Sequence, residues 1–232
     1  MKKVCVVVGV GPGNGASLSR RFAQDDYTVV MLARNGDYLD ELAEGIPGSI
    51  GLVCDVTDPT AIRSAFAQVR QTVGDVAVLI YNAGPGHWST PLETSTEALY
   101  TAWAINTQGL LVAAQQVLPA MIAKGEGHLM VIGATASLRG GAQFTAFASA
   151  KAAQRSLAQS LARDVGPKGI HVGYLIIDGM IDMPRTREFF PDKPPQFFMQ
   201  PDAIADSVMA LVEQDRSAWT FELDLRPFAE RW

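Results

Sequence analysis

Apolar residues cluster along this chain in two rhythms. The short rhythm is nearly continuous in Val, Ile, Leu and Met, at Val4–Val8, Thr28–Ala33, Ile50–Cys54, Val76–Tyr81, His128–Gly133, His171–Ile177 and Trp219–Leu223. Unbroken runs of this kind mark strands buried on both faces, as in a parallel sheet. The longer rhythm is helical and fills the intervals: Gly15–Asp25, Asp37–Glu44, Pro59–Val73, Thr96–Lys124, Phe144–Val165 and Pro201–Gln214. Strand and helix alternate over the whole length, which predicts one α/β domain across residues 1–232, built on a doubly wound parallel sheet of about seven strands. No repeat or low-complexity segment interrupts it.

One stretch departs from the rhythm. Met183–Pro201 carries Pro184, Pro191, Pro194, Pro195 and Pro201, with Phe189, Phe190, Phe197, Phe198 and Met199 among them. Proline at this density blocks a long helix or a central strand. The aromatics argue against disorder. Two compatible readings stand: a loop pinned onto the core, or an apolar lid over a substrate pocket.

Composition narrows the function. The 232 residues are 48% hydrophobic, enough for a substantial core. A net charge of −5 and no long basic run make nucleic acid an unexpected partner. Cys5 and Cys54 lie in apolar runs and read as reduced, buried thiols of a cytoplasmic protein. His87, His128 and His171 lack metal-ligand spacing, so no metal is expected. The apolar run after Lys2-Lys3 ends at Gly9, too short for a signal peptide, and no segment is long enough to span a bilayer.

The chemistry begins after the first strand, at Gly9-Val10-Gly11-Pro12-Gly13-Asn14-Gly15-Ala16. Glycines between a strand and a helix let the backbone turn tightly and approach a pyrophosphate, with the N–H groups of the helix start facing the anion. Where an acid would bind the ribose 2′-hydroxyl of NAD, after the second strand, the chain has Ala33-Arg34-Asn35. An arginine there can grip a 2′-phosphate, favouring NADP while leaving NAD possible; the alternative is a solvated side chain at a strand end. Asp55 can accept from an adenine amino group while Val56 covers the ring, unless Asp55 or Asp58 simply caps the helix from Pro59. Asn82, Ala83 and Gly84 end the fourth strand; the small residues leave room for a ribose, and Asn82 can tie neighbouring strand ends together.

Together these motifs resemble the short-chain dehydrogenase/reductase family over essentially the whole chain, and so imply a Rossmann-type fold. The glycine motif is matched as Gly9-x-x-x-Gly13-x-Gly15, the adenine-ring Asp as Asp55, the strand-end motif as Tyr81-Asn82-Ala83-Gly84, the helix asparagine as Asn106 and the active-site lysine as Lys151. The resemblance further implies a cofactor contact at Ile181 and catalytic roles for Asn106 and Lys151. It also implies a homodimer or homotetramer through the Thr96–Lys124 and Phe144–Val165 helices. The departures matter as much. The catalytic tyrosine falls on Phe147 and the catalytic serine on Ala134, with Thr135 one residue away and on the opposite face. Asp178-Gly179 stands where Pro-Gly is usual, and Met183 where a threonine is. An enoyl-reductase-like spacing would need a tyrosine at Phe144. Tyr81, Tyr100 and Tyr174 lie in other segments, and His87 beside Trp88 is a candidate acid on a loop. The expected function is hydride transfer to or from an apolar carbonyl or alcohol by an atypical site. The rival is a degenerate NADP(H)-binding protein acting through binding or oligomerisation, and a purely structural partner is a third reading.

Overall fold

A computed structural model describes residues 2–84 and 88–229. The strands are β1 (Lys3–Val8), β2 (Tyr27–Ala33), β3 (Ile50–Val53), β4 (Val76–Tyr81), β5 (Gly127–Ile132), β6 (Ile170–Ile177), β7 (Met180–Ile181), β8 (Phe198–Met199) and β9 (Glu222–Leu225). Seven of them form one parallel sheet in the order β3-β2-β1-β4-β5-β6-β9. β1 lies third in this order, with Val6 opposite Val30 of β2 on one side and Leu79 of β4 on the other. The strand order reverses at β1, and the crevice outside the carboxyl ends of β1 and β4 is where such sheets bind ligands.

Side-chain alternation splits the core into two layers. From β1, Val4, Val6 and Val8 enter a layer that includes Ile62 and Phe66 of α3 (Pro59–Thr72), Leu110 and Val117 of α5 (Gly109–Lys124) and Ala158 of α6 (Thr145–Val165). Cys5 and Val7 face the other way, onto Leu18 and Phe22 of α1 (Asn14–Gln24), Leu39 of α2 (Gly36–Glu44) and Ile204 and Val208 of α8 (Pro201–Val212). Both faces are covered, which is why the strand sequences are apolar without alternation. Phe22 and Phe66 are fully buried; truncating either to alanine costs about 3–5 kcal/mol.

Polar residues start the helices. Asp58 accepts from the Thr60 N–H at 2.7 Å and Pro59 opens α3, so Asp58, not Asp55, is the cap. Asn35 caps α2 by accepting from Tyr38, and Ser95 caps α4 (Thr96–Trp103) by accepting from Ala98.

Two expectations need correction. The single helix expected over Thr96–Lys124 is α4, a π-helical turn at Ala104–Gln108 and then α5. The wide turn frees backbone carbonyls that side chains then satisfy: the Tyr81 hydroxyl donates to Ile105 O, and Gln154 Nε2 donates to Asn106 O at 2.9 Å. The last strand is not Trp219–Leu223 but Glu222–Leu225; Trp219 stacks flat on His171 at 4.8 Å instead of entering the sheet. The apolar signal at Trp219 was a packing residue beside the strand.

Met183–Pro201 is docked and partly regular. It contains α7 (Pro184–Phe189), and β8 pairs in parallel with β7 in a separate two-stranded sheet. Arg187 grips the Asp182 carboxylate with two nitrogens, at 2.7 and 2.8 Å, and Gln200 donates to the same group at 3.0 Å. Phe198 and Met199 are buried. The prolines confine helix to one short piece, and the aromatics pin the rest.

Candidate active site

A cleft of about 820 Å³ opens along the carboxyl ends of the strands. Gly9 follows β1 with φ at 87°, and a Cβ there would lie 2.5 Å from the backbone of Ala83. Only glycine lets the ends of β1 and β4 come so close. Asn82 Nδ2 fastens the same junction by donating to Gly9 O at 2.7 Å. Gly13 takes φ at 111° immediately before α1. Gly9, Gly11, Asn14 and Gly15 all line the cleft. The Asn14 amide is buried, and neither its oxygen nor its nitrogen has a partner within the protein. Orphaned polar atoms at the start of a helix fit a polar, anionic ligand such as a pyrophosphate.

Beyond the glycines, Arg34 and Asp55 line the same cleft, with Val56 between that end and the core. Asp55 Oδ1 accepts from the Thr57 N–H at 2.9 Å and from its hydroxyl at 2.8 Å. The Thr57 backbone bond, its hydroxyl and the Arg34 charge hold this carboxylate below its ordinary range. The Cys54 thiol beside it is pushed up to about 11, first by burial, so it is inert at neutral pH.

Lys151 projects from α6 into the far end of the cleft. Its Nζ donates to Ile132 O at 2.8 Å and to Gln154 Oε1 at 3.0 Å. Burial pushes its pKa down to about 7. Phe147, one turn earlier, lies on the same face with its ring centre 6.0 Å from Nζ. Ala134 lines the wall beside them. Thr135 cannot stand in for a serine: its hydroxyl is committed to Asp178 Oδ1 at 2.5 Å, at the end of β6. Asn106 lies outside the cleft lining, fully buried in the π-turn, with Nδ2 donating to Ala102 O at 2.8 Å and Oδ1 unpartnered.

None of the three tyrosines offers a phenol at this point. Tyr81 is spent on the π-turn. Tyr174 is buried, with its hydroxyl 3.3 Å from Gln154 Oε1, and burial pushes its pKa up. Tyr100 is exposed on α4. His87 lies outside the described residues.

Aromatic rings line much of the rest of the cleft, beside Arg139, Arg185 and Asp178. Phe147 and Phe144 lie 6.2 Å apart, Phe144 and Trp88 5.7 Å, and Trp88 reaches Phe189 at 5.6 Å across the Met183–Pro201 segment. The segment is therefore both docked and placed over the cleft. Met183 packs on Gly13, 3.3 Å from where a Cβ would stand, so Gly13 is covered while its neighbours face the cleft. Ile181 lines the cleft from β7.

Gln154 escaped the sequence reading. It is fully buried and joins Lys151, Tyr174 and the Asn106 carbonyl. The available signal was a lone amide three residues past a lysine, on the face of an alanine-rich helix. No group of His, Cys, Asp and Glu among the described residues could hold a metal ion, and none of their helices is long and apolar enough to cross a membrane.

The same architecture recurs in known proteins. A family model described as short chain dehydrogenase matches residues 3–194. Carbonyl reductase family member 4 of Xenopus laevis is 27% identical over 218 residues, covering 92% of each chain. A short-chain dehydrogenase from Rhodopseudomonas palustris is 33% identical, with a TM-score of 0.83 over 97% of this chain and 99% of that one. A metagenomic short-chain oxidoreductase solved in complex with NADP is 25% identical, with a TM-score of 0.85 and 98% of both chains covered. Sequence and fold agree over nearly the full length, and the chain belongs to the short-chain dehydrogenase family.

Proposed function

We propose that this protein is an NADP-preferring oxidoreductase that interconverts an apolar carbonyl and its alcohol at a site lacking the family's tyrosine and serine. One observation carries the reading: a single cleft runs from the glycine loop and Arg34 to Lys151. The Gly9–Gly15 backbone and Asn14 would hold the pyrophosphate, Arg34 the 2′-phosphate, and Asp55 and Val56 the adenine. Asn82, Ala83, Gly84, Ile181 and Lys151 would hold the nicotinamide half. NADP is the ligand of the metagenomic relative; here its reduced form would supply the hydride to a carbonyl, and its oxidised form would accept one from an alcohol. The aromatic walls favour an apolar substrate and exclude water from it.

Phe147 and Ala134 carry no hydroxyl, which supports a second reading: an NADP(H)-binding protein without turnover. NADPH titration by fluorescence, then a carbonyl panel followed by NADPH oxidation, separates the two. Binding with oxidation supports the enzyme, and binding alone supports the second reading. In either case a homodimer or homotetramer along α4 to α6 is proposed, because Tyr100, Trp103 and Leu111 leave apolar surface exposed there. Light scattering on the purified protein tests it.

A further inference from the structure

We propose that the Lys151 ammonium is itself the proton donor in carbonyl reduction, taking the part of the phenol that Phe147 cannot play. The proposal rests on the oxidoreductase reading above and names the acid that reading leaves open.

Elimination points to Lys151. Among the described residues at this end of the cleft, the Thr135 hydroxyl is spent on Asp178. The Thr186 hydroxyl is spent on backbone carbonyls of its own segment. The Asp178 carboxylate is itself engaged on both sides, accepting from Thr135 at 2.5 Å and meeting Arg226 at 3.6 Å. Arg139 and Arg185 line the mouth, and a guanidinium does not release its proton in a protein. That leaves the one ammonium at the base.

Its geometry suits the task. An ammonium has three N–H groups, and two go to Ile132 O and Gln154 Oε1. Gln154 cannot swap its amide ends without losing the bond from Nε2 to Asn106 O, so its oxygen stays aimed at Nζ. The third N–H is left for the cleft that Lys151 lines. After giving up that proton, the amine keeps both protein bonds and turns a lone pair to the cleft. Proton transfer therefore breaks no hydrogen bond inside the protein. The tyrosine's missing hydroxyl also leaves space beside Nζ for the substrate oxygen.

The step balances. Hydride from the reduced nicotinamide adds to the carbonyl carbon, and the C=O π pair moves onto oxygen. That oxygen takes a proton from Nζ as the N–H bond breaks. The carbonyl is reduced to an alcohol, the nicotinamide is oxidised, and the ammonium becomes an amine that solvent reprotonates. The lowered pKa of Lys151 is matched to neutral pH. Burial is its cause; the titratable group nearest in the network is Tyr174, reached through Gln154.

The test compares two acceptors: an aryl ketone, which needs a proton, and an N-alkyl iminium cation, whose reduction by hydride needs none. In the wild type, kcat for the ketone should fall about tenfold per pH unit above pH ~7, while kcat for the iminium stays flat. NMR titration of ¹³Cε-labelled lysine in the free protein should show Lys151 titrating well below the ordinary lysine range, because it is buried. Lys151→Arg and Lys151→Met lose a nicotinamide contact that both acceptors feel, so the donor role is read from the ratio: ketone kcat should fall about 10²-fold or more further than iminium kcat. His87→Ala should keep ketone turnover. A flat ketone profile, an ordinary lysine midpoint, equal loss of both acceptors in the Lys151 variants, or loss in His87→Ala would each overturn the donor assignment. A wild type that binds no NADPH would instead overturn the reading beneath it.

Discussion

Restoring the family's two hydroxyls is the sharpest perturbation this site allows. In Phe147→Tyr with Ala134→Ser, the new phenol oxygen lies about 2.8 Å from the ring centre. With that centre 6.0 Å from Nζ, an aligned phenol would approach the lysine to about 3.2 Å, the edge of hydrogen-bond range. A positioned acid contributes about 10²–10⁴ in rate, or roughly 3–5 kcal/mol of barrier. Lys151 already supplies part of this while protonated, so the gain should depend on pH. With its pKa near 7, Lys151 is mostly charged at about pH 6 and about 1% charged at about pH 9, whereas a phenol titrates near 10. The double variant should therefore gain about tenfold at the lower pH and about 10²–10³-fold at the higher one. The assay is ketone-dependent NADPH oxidation at saturating cofactor, with the NADPH Kd measured alongside. A gain that is equal at both pH values would refute a protonated lysine in the wild-type step. No gain at either, with NADPH still bound, would refute the placement of Phe147 beside the reacting carbon.

Four further outcomes follow from the same geometry. Arg34→Asp should reverse the preference between NADPH and NADH by about 10–100-fold, the worth of a charged hydrogen bond; unchanged Kd values would show that Arg34 is only a solvated strand end. Gly13→Val should abolish dinucleotide binding without unfolding the chain, because φ at 111° and the contact with Met183 leave no place for a branched side chain; equal affinity would move the pyrophosphate elsewhere. Phe189–Met199 should gain protease protection when NADPH and an apolar ketone bind together, measured by limited proteolysis, and equal cleavage with and without ligands would mark a permanently docked segment. Stability should rise with pH between about 7 and 9.5, because the unfolded chain keeps the Lys151 proton that the folded one has shed. The gain is up to about 3 kcal/mol before buried Tyr81 and Tyr174 favour unfolding at higher pH. Urea titrations should show this slope in the wild type and not in Lys151→Met.

The sheet was legible because both of its faces are covered, so each strand carried its own signal. The last strand was misplaced because Trp219 is apolar for a different reason, stacking on His171. The π-turn was invisible: its bonds come from Tyr81 and Gln154, far away in sequence. The glycine loop and the end of β4 could be read because backbone geometry there demands small residues. The bonds that hold Lys151 could not, since one partner is a backbone carbonyl, which every residue has. The Pro/Phe-rich segment announced its docking through composition, but the contact of Met183 with Gly13 needed three dimensions.

The position of β9 has a consequence for how the chain is made. β6 is buried along all eight residues, Ile170–Ile177, and its outer neighbour is β9, whose residues 222–225 pair with 174–177. During synthesis, β6 leaves the ribosome well before the strand that covers it. Until then an apolar strand presents unpaired N–H and C=O groups along its side, the condition that invites pairing with another nascent chain. Arg155, waiting on α6, takes Glu222 of the arriving strand in a two-pronged ion pair at 2.6 and 3.0 Å. The docking of β9 thus carries its own electrostatic latch, and yield during expression at high temperature should depend on residues 222–225 more than their small share of the core suggests.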